Sequence, residues 1–229
     1  MLSAHDEGHQ VFDLTPTIRG KGSLSVLCLG AHSDDIEIGC GGTILRLLQS
    51  HTNCHVTWVV FGAKAARKKE AVASARRFLD GAKTSAIITR SFKDSVFPYR
   101  GEEIKAFFEG FKTRVAPDLI FTHYGHDLHQ DHRVISELTW NTFRKHQILE
   151  YEIPKYDGDL GRPNVYVPLA RTVCEAKVQL LMNGFATQRS RQWFTEDTFY
   201  SLMRLRGIES NASEKYAEAF YGRKLVLGR

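Results

Sequence analysis

Along the chain, short and mostly apolar runs of strand length alternate with longer stretches in which apolar residues recur every three or four positions. Leu24 to Leu29 is the first such run, and Gly30 follows where the chain can turn. The glycine-rich segment Gly39 to Gly42 then leads into TILRLLQS, a helix with Ile44, Leu45, Leu47 and Leu48 inward. His55 to Phe61 predicts a second strand and Ala86 to Arg90 a third. Between them, Arg67 to Leu79 predicts a helix with Val72, Ala75, Phe78 and Leu79 inward and Gly81 placed as its C-terminal cap. Glu102 to Arg114 carries Ile104, Phe107, Phe108 and Phe111 at helical spacing, an aromatic stripe that reads as core. Leu119 to Thr122 is a further strand, and Val134 to His146 a helix with Ile135, Leu138 and Phe143 inward. Pro154 to Pro168 reads as a loop running into the short strand NVYVPL, and an excursion of that length is more often a binding loop than filler. Helices over Arg171 to Leu181 and Thr195 to Gly207 precede an aromatic-bearing tail. Strands alternating with helices specify an α/β fold, a mostly parallel sheet covered on both faces.

Chemistry is concentrated just after two of the strands. His32, Asp34 and Asp35 follow the first, and His123, His126, Asp127, His129, Asp131 and His132 follow Leu119 to Thr122. Ligands of an open parallel sheet bind outside the carboxyl ends of its strands, so two ends loaded with imidazole and carboxylate suggest one composite site.

The pair AHSDD (Ala31 to Asp35) and HQDH (His129 to His132) resembles the AHPDD and HxDH motifs of the LmbE-like, or PIG-L, zinc-dependent N-deacetylases. The resemblance covers about residues 23 to 180. It implies a single Rossmann-like domain over 1–229, with an N-terminal extension at 1–22 and an active-site loop at 150–170. Carried onto matching positions, it makes His32, Asp35 and His132 ligands of Zn2+, a three-ligand set that leaves room for water. Fe2+ accepts the same donor types. Asp34 is then the general base, acting on water whose pKa the metal lowers to about 7. His129 becomes the stabiliser of the oxyanion in its protonated form, with Asp131 as the partner that orients it. Arg67, in a stretch similar to the family's R-x-x-E, and Asp94, at a D-S position, are substrate contacts by the same resemblance. His123 and His126 remain possible substrate contacts. Ser33 departs from the family's proline and changes loop stiffness more than ligation. Ile36 stands where many members carry an acid, with Glu37 one place later. The expected reaction is removal of acetyl from an N-acetylated amino sugar or its conjugate, nucleotide-linked or glycosidic. The resemblance also implies a homo-oligomer.

Composition narrows the remaining classes. At 229 residues and 42% hydrophobic content the chain can bury a substantial core. Its start carries Asp6, Glu7 and Asp13 and does not read as a signal peptide, and no apolar run approaches membrane-spanning length, so a cytoplasmic protein is expected. Cys28, Cys40, Cys54 and Cys174 form no CxxC pair and read as buried thiols. The net charge of +5 includes basic clusters at Ala65 to Arg77, Arg189 to Arg191 and Arg204 to Arg206. These read first as solvated helix faces and second as a rim attracting an anionic substrate. No motif for nucleic acid is present. Two competing readings stay open: a zinc-dependent amidase or esterase on another acyl group, and a metal- or nucleotide-binding protein without turnover. Against the nucleotide reading, Gly39, Gly41 and Gly42 fit neither GxGxxG nor GK[ST].

Overall fold

The computed structural model describes residues 22–225, so the segment expected as an N-terminal extension lies outside the described residues apart from Gly22. The elements are β1 (Leu24–Gly30), α1 (Asp35–Ser50), β2 (Cys54–Val60), α2 (Ala65–Phe78), β3 (Thr84–Thr89), α3 (Gly101–Lys112), β4 (Leu119–His123), α4 (Gln130–Thr142), β5 (Gln147–Tyr151), β6 (Val165–Leu169), α5 (Arg171–Gly184), α6 (Glu196–Glu209) and β7 (Tyr216–Tyr221). They form one seven-stranded sheet in the order β3-β2-β1-β4-β5-β7-β6. β1 to β5 pair in parallel, and β7 inserts antiparallel between β5 and β6. The expected α/β class, mostly parallel with helices on both faces, is what the chain adopts.

Alternation along β1 divides its side chains between two cores. Leu24, Val26 and Cys28 join residues of α1, α2, α5 and α6, whereas Leu27 and Leu29 join the core on the other face, with Ile104, Phe108 and Phe111 of α3 and Ile135 of α4. All four cysteines are buried and free. Among the described residues no helix is long and apolar enough to cross a membrane.

Several boundaries differ from expectation. α1 begins at Asp35, ahead of the glycines, which lie inside the helix. A Cβ at Gly39 would collide with the Tyr151 ring, one at Gly42 would come within 2.6 Å of Leu169 Cδ1 and one at Gly41 within 2.7 Å of the Phe78 ring, so close packing on β5, β6 and α2 explains them. Gly81 is no left-handed cap: α2 closes at Leu79, whose N–H bonds Ala75 O. α4 lies earlier than Val134 to His146, because the chain must turn after Thr142 to enter β5, a strand the periodicity does not reveal. β7 escapes the pattern likewise. It carries buried Glu218, which accepts from Lys177 Nζ and from the N–H groups of Gly42 and Thr43. The expected loop at 150–170 shrinks to 152–164, its ends being taken by β5 and β6. Arg206, expected on a solvated face, is buried and pairs with both oxygens of Glu152 at 2.9 and 2.6 Å.

Candidate metal centre

The sheet order reverses between β1 and β4, since β2 and β3 extend the sheet one way and β5 the other. Loops leaving the carboxyl ends of β1 and β4 therefore diverge and open a crevice. Into it project the two motifs, a hundred residues apart in sequence, and both are helix starts. Asp34 is the N-cap of α1 but makes no side-chain capping bond, so its carboxylate is left for other work. Asp35 instead accepts the His32 backbone N–H at 2.6 Å, which folds the turn back on itself. At the start of α4, His129 Nδ1 accepts from Asp131 N at 3.2 Å.

The predicted ligands meet. His32 Nδ1 lies 3.1 Å from His132 Nε2 and 3.4 Å from Asp35 Oδ2, and His132 Nε2 lies 3.6 Å from the same oxygen. Donors at about 2.0–2.1 Å from a tetrahedral ion stand about 3.3 Å apart, so this spacing fits zinc. Hydrogen bonding decides which nitrogens are available. His32 Nε2 faces Asp131 Oδ2 and Asp94 Oδ1, both at 3.1 Å, and so carries the proton in the neutral ring. His132 Nδ1 likewise faces Asp127 Oδ2 at 2.9 Å. Three lone pairs thus converge, each imidazole oriented by a carboxylate behind it, as in metal sites generally.

Electrostatics agree. Burial by itself would lower His32, but Asp35, followed by hydrogen bonds to Asp131, Asp35 and Asp94, carries it well above the ordinary imidazole value, so this spot favours positive charge. Burial and the neighbouring His123 push His132 down to about 3, which keeps it a neutral donor. Burial would raise Asp35, yet facing His132, His32 and His123 hold it well below the usual range. Asp34 rises to about 6 through burial and the Asp35 charge, against the opposing pull of Arg67 and His32.

The substrate candidates also assemble here. Arg67 bridges Asp34 and Asp94, with its Nη2 and Nη1 each 3.3 Å from a carboxylate oxygen. Asp94 is half-exposed and held low first by its hydrogen bond to His32.

Three assignments need correction. The Asp131 carboxylate does not orient His129: Oδ2 bonds His32 and the Ser95 N–H, and Oδ1 accepts from Phe97 N at 2.9 Å. His129 is lowered by burial and then by His32, against the expected protonated form, but its tautomer leaves Nε2–H as a donor in the neutral ring. His123 is fully buried, stacked on His132 with its Nε2 accepting from Ala31 N at 2.9 Å, so it is a floor residue and not a substrate contact. His126 is exposed. Glu37 is wholly buried and its carboxyl is pushed well up by burial. Cys40 bonds the Ile36 carbonyl within α1 and belongs to no donor group.

Sequence reasoning missed Asp127, which orients His132, and Lys155, which pairs with Asp127 at 3.0 Å and with Asp159. HDLHQDH offers two acids, Asp127 and Asp131, so only the fold singles out this one for His132.

A doubly wound α/β protein with a His, Asp, His donor set at its switch point is the class that fold and site define. The chain belongs to the PIG-L, or LmbE-like, family: the family model described as "PIG-L: GlcNAc-PI de-N-acetylase" matches residues 27–143, just over half of the sequence. Solved structures share the fold at low identity. N,N'-diacetylchitobiose deacetylase from Pyrococcus horikoshii is 21% identical, with 87% of this chain and 84% of that one covered and a TM-score of 0.63. The zinc-inhibited form of teicoplanin deacetylase Orf2 is 12% identical, with 86% and 97% covered and a TM-score of 0.66. GalB, the 4-carboxy-2-hydroxymuconate hydratase from Pseudomonas putida KT2440, is 16% identical, with 90% and 98% covered and a TM-score of 0.68.

Proposed function

We propose that this protein is a metal-dependent hydrolase that removes an acetyl group from an N-acetylated amino sugar or its conjugate. One observation carries the reading: His32 Nδ1, His132 Nε2 and Asp35 Oδ2 converge within 3.1–3.6 Å of one another beside Asp34, a carboxylate spent on neither ligation nor capping. Family membership supports the reaction class.

A divalent cation held by these three groups, zinc or another such as Fe2+, supplies an activated water and polarises the amide carbonyl. Asp34, its affinity for a proton raised by burial, takes the proton of the attacking water and later returns it to the departing amine. His129 donates its Nε2–H to the developing oxyanion. Asp131 acts one step back, holding His32 in the tautomer that frees Nδ1. Arg67 and Asp94, at the rim, bind the sugar's polar groups. The segment 152–164 borders the site through Lys155 and Asp159, the latter accepting the Leu128 N–H at 2.7 Å. A single domain and a homo-oligomer complete the reading and rest on the family resemblance, and a cytoplasmic location is kept with them from the sequence reading.

The test is release of acetate and free amine from a panel of N-acetylglucosamine conjugates, alongside metal analysis of the purified chain. Wild type is expected to release both with about one metal per chain. Equal rates for wild type and Asp34→Ala would overturn the base assignment.

A further inference from the structure

The segment 152–164 meets the metal centre through one enclosed ammonium group. Nζ of Lys155, a side chain 10% exposed, lies 3.0 Å from Asp127 Oδ2, the same oxygen that faces His132 Nδ1 at 2.9 Å. We propose that Lys155 acts on the metal centre at one remove: through Asp127 it limits how strongly His132 donates, and so keeps the bound cation a strong Lewis acid. The inference deepens the metal-dependent reading and rests on it.

The ammonium has no bond to spare for a substrate. Its N–H groups face Asp127, both oxygens of Asp159 at 2.7 and 2.5 Å, and the Ile153 carbonyl at 3.4 Å. Whatever Lys155 does for the reaction therefore passes through these partners. Asp127, for its part, keeps its orientation without the lysine. Its Oδ1 accepts the His129 N–H at 2.8 Å, its own N–H donates to Tyr124 O at 3.1 Å, and Arg133 Nη1 bonds the Asp127 and Leu128 carbonyls at 2.9 and 2.6 Å. The turn is fixed from within its own stretch of chain, and what Lys155 adds is charge.

A carboxylate behind a ligating imidazole raises the basicity of the ring. An ammonium on the same oxygen offsets part of that carboxylate's charge, so His132 Nε2 gives less electron density to the cation. The ammonium also repels the cation directly, across an interior that screens little. Both effects have one sign: the cation is held less tightly and stays more electron-poor, which favours ionisation of its water and polarisation of a carbonyl. The other imidazole lacks this arrangement. Asp131, behind His32, accepts only from His32 and from the Ser95 and Phe97 N–H groups among the described residues.

Asp159 sets how much of the charge reaches Asp127. It is nearly as enclosed as Lys155, and its Oδ2 also accepts the Leu128 N–H at 2.7 Å. Two carboxylates therefore share one ammonium, and they compete for it. Neutralising Asp159 leaves more of the charge on Asp127, whereas removing the ammonium leaves none. The direction of the change in metal affinity thus separates an effect of charge from simple bracing of the loop, which is lost in both cases.

The experiment measures zinc affinity of the full chain by competition with a chromogenic chelator, in wild type, Lys155→Met, Lys155→Arg and Asp159→Asn. Lys155→Met is expected to hold zinc at least about threefold more tightly and Asp159→Asn at least about threefold more weakly, with Lys155→Arg, which keeps the charge, close to wild type. Shifts of the same sign in Lys155→Met and Asp159→Asn, or a shift in neither, overturn the proposal. Should Lys155→Met fail to fold, Asp159→Asn carries the test against Lys155→Arg, and zinc affinity undiminished in Asp159→Asn overturns it. In acetate release, Lys155→Met is expected to lower kcat about tenfold with KM unchanged, and Lys155→Arg to restore it; a loss confined to KM counts against the proposal. Zinc binding is read without substrate, so the two readings fail separately. Opposite zinc shifts with no acetate release from any conjugate keep Lys155 in this role and remove the deacetylase reading, and acetate release with shifts of one sign does the reverse.

Discussion

The Asp131 carboxylate lies 3.1 Å from Nε2 of His32, and this contact leaves Nδ1 of the same ring facing Asp35 and His132. Asp131 is fully buried and also accepts from the backbone of Ser95 and Phe97, so one side chain orients a donor nitrogen and secures the segment that carries Asp94.

Asp131→Asn keeps the volume but weakens this hold. Zinc affinity, measured by competition with a chromogenic chelator, is expected to fall about 10- to 100-fold. Asp127→Asn should do the same through His132. Unchanged affinity in both would show that the carboxylates behind the imidazoles do not orient them.

Removing the ion should do more than stop turnover. With Asp34, Asp35, Asp127 and Asp131 all buried around two imidazoles, a bound cation stabilises the native chain by mass action. Chelator-treated protein is expected to unfold at a lower temperature by differential scanning fluorimetry, and added zinc to restore it. His132→Ala should show the lower value with or without zinc.

The pH profile follows from Asp34. A general base must be ionised, and burial with the Asp35 charge raises this carboxyl to about 6, so kcat/KM is expected to fall as pH drops through about 6. Arg67 favours the ionised form, and Arg67→Ala should therefore move the acid limb upward. Asp34→Asn should cut kcat by about 10²–10⁴ while leaving zinc content intact. An acid limb that stays in place in Arg67→Ala would argue against Asp34 as the titrating group.

Stability should depend on the pair at the middle of α1. Lys177 Nζ donates to Ile38 O and to Glu218, both at 2.6 Å, and Glu218 in turn accepts the Gly42 and Thr43 N–H groups. Lys177→Met leaves a buried carboxylate unpaired and is expected to cost about 3–5 kcal/mol in urea unfolding. Gly39→Ala, which forces a methyl group into the Tyr151 ring, should cost about 1–3 kcal/mol.

Local pattern reveals what local forces decide. The apolar runs at Leu24 and Leu119 and the helical stripe of Ile104, Phe108 and Phe111 were legible, because burial of a strand or a helix face imposes its period directly on sequence. The β5 run QILEY and the β7 run YAEAFY were not. Each is short, and Glu150 and Glu218 are polar residues on positions that the fold buries with Arg223 and Lys177 as partners. Gly39 and Gly42 misled for a related reason: their small size answers Tyr151 and Leu169, residues more than a hundred positions away.

The residue types for a divalent cation, and their delivery after two apolar strands, were determined by the sequence, since the bonding capacity of histidine and aspartate travels with the residue. Tertiary structure alone decided which nitrogen of each ring is free, and that Asp131 serves His32 and Asp127 serves His132. Tautomer and field depend on neighbours brought within about 3–4 Å by the sheet's reversal between β1 and β4, and no spacing along the chain encodes that approach.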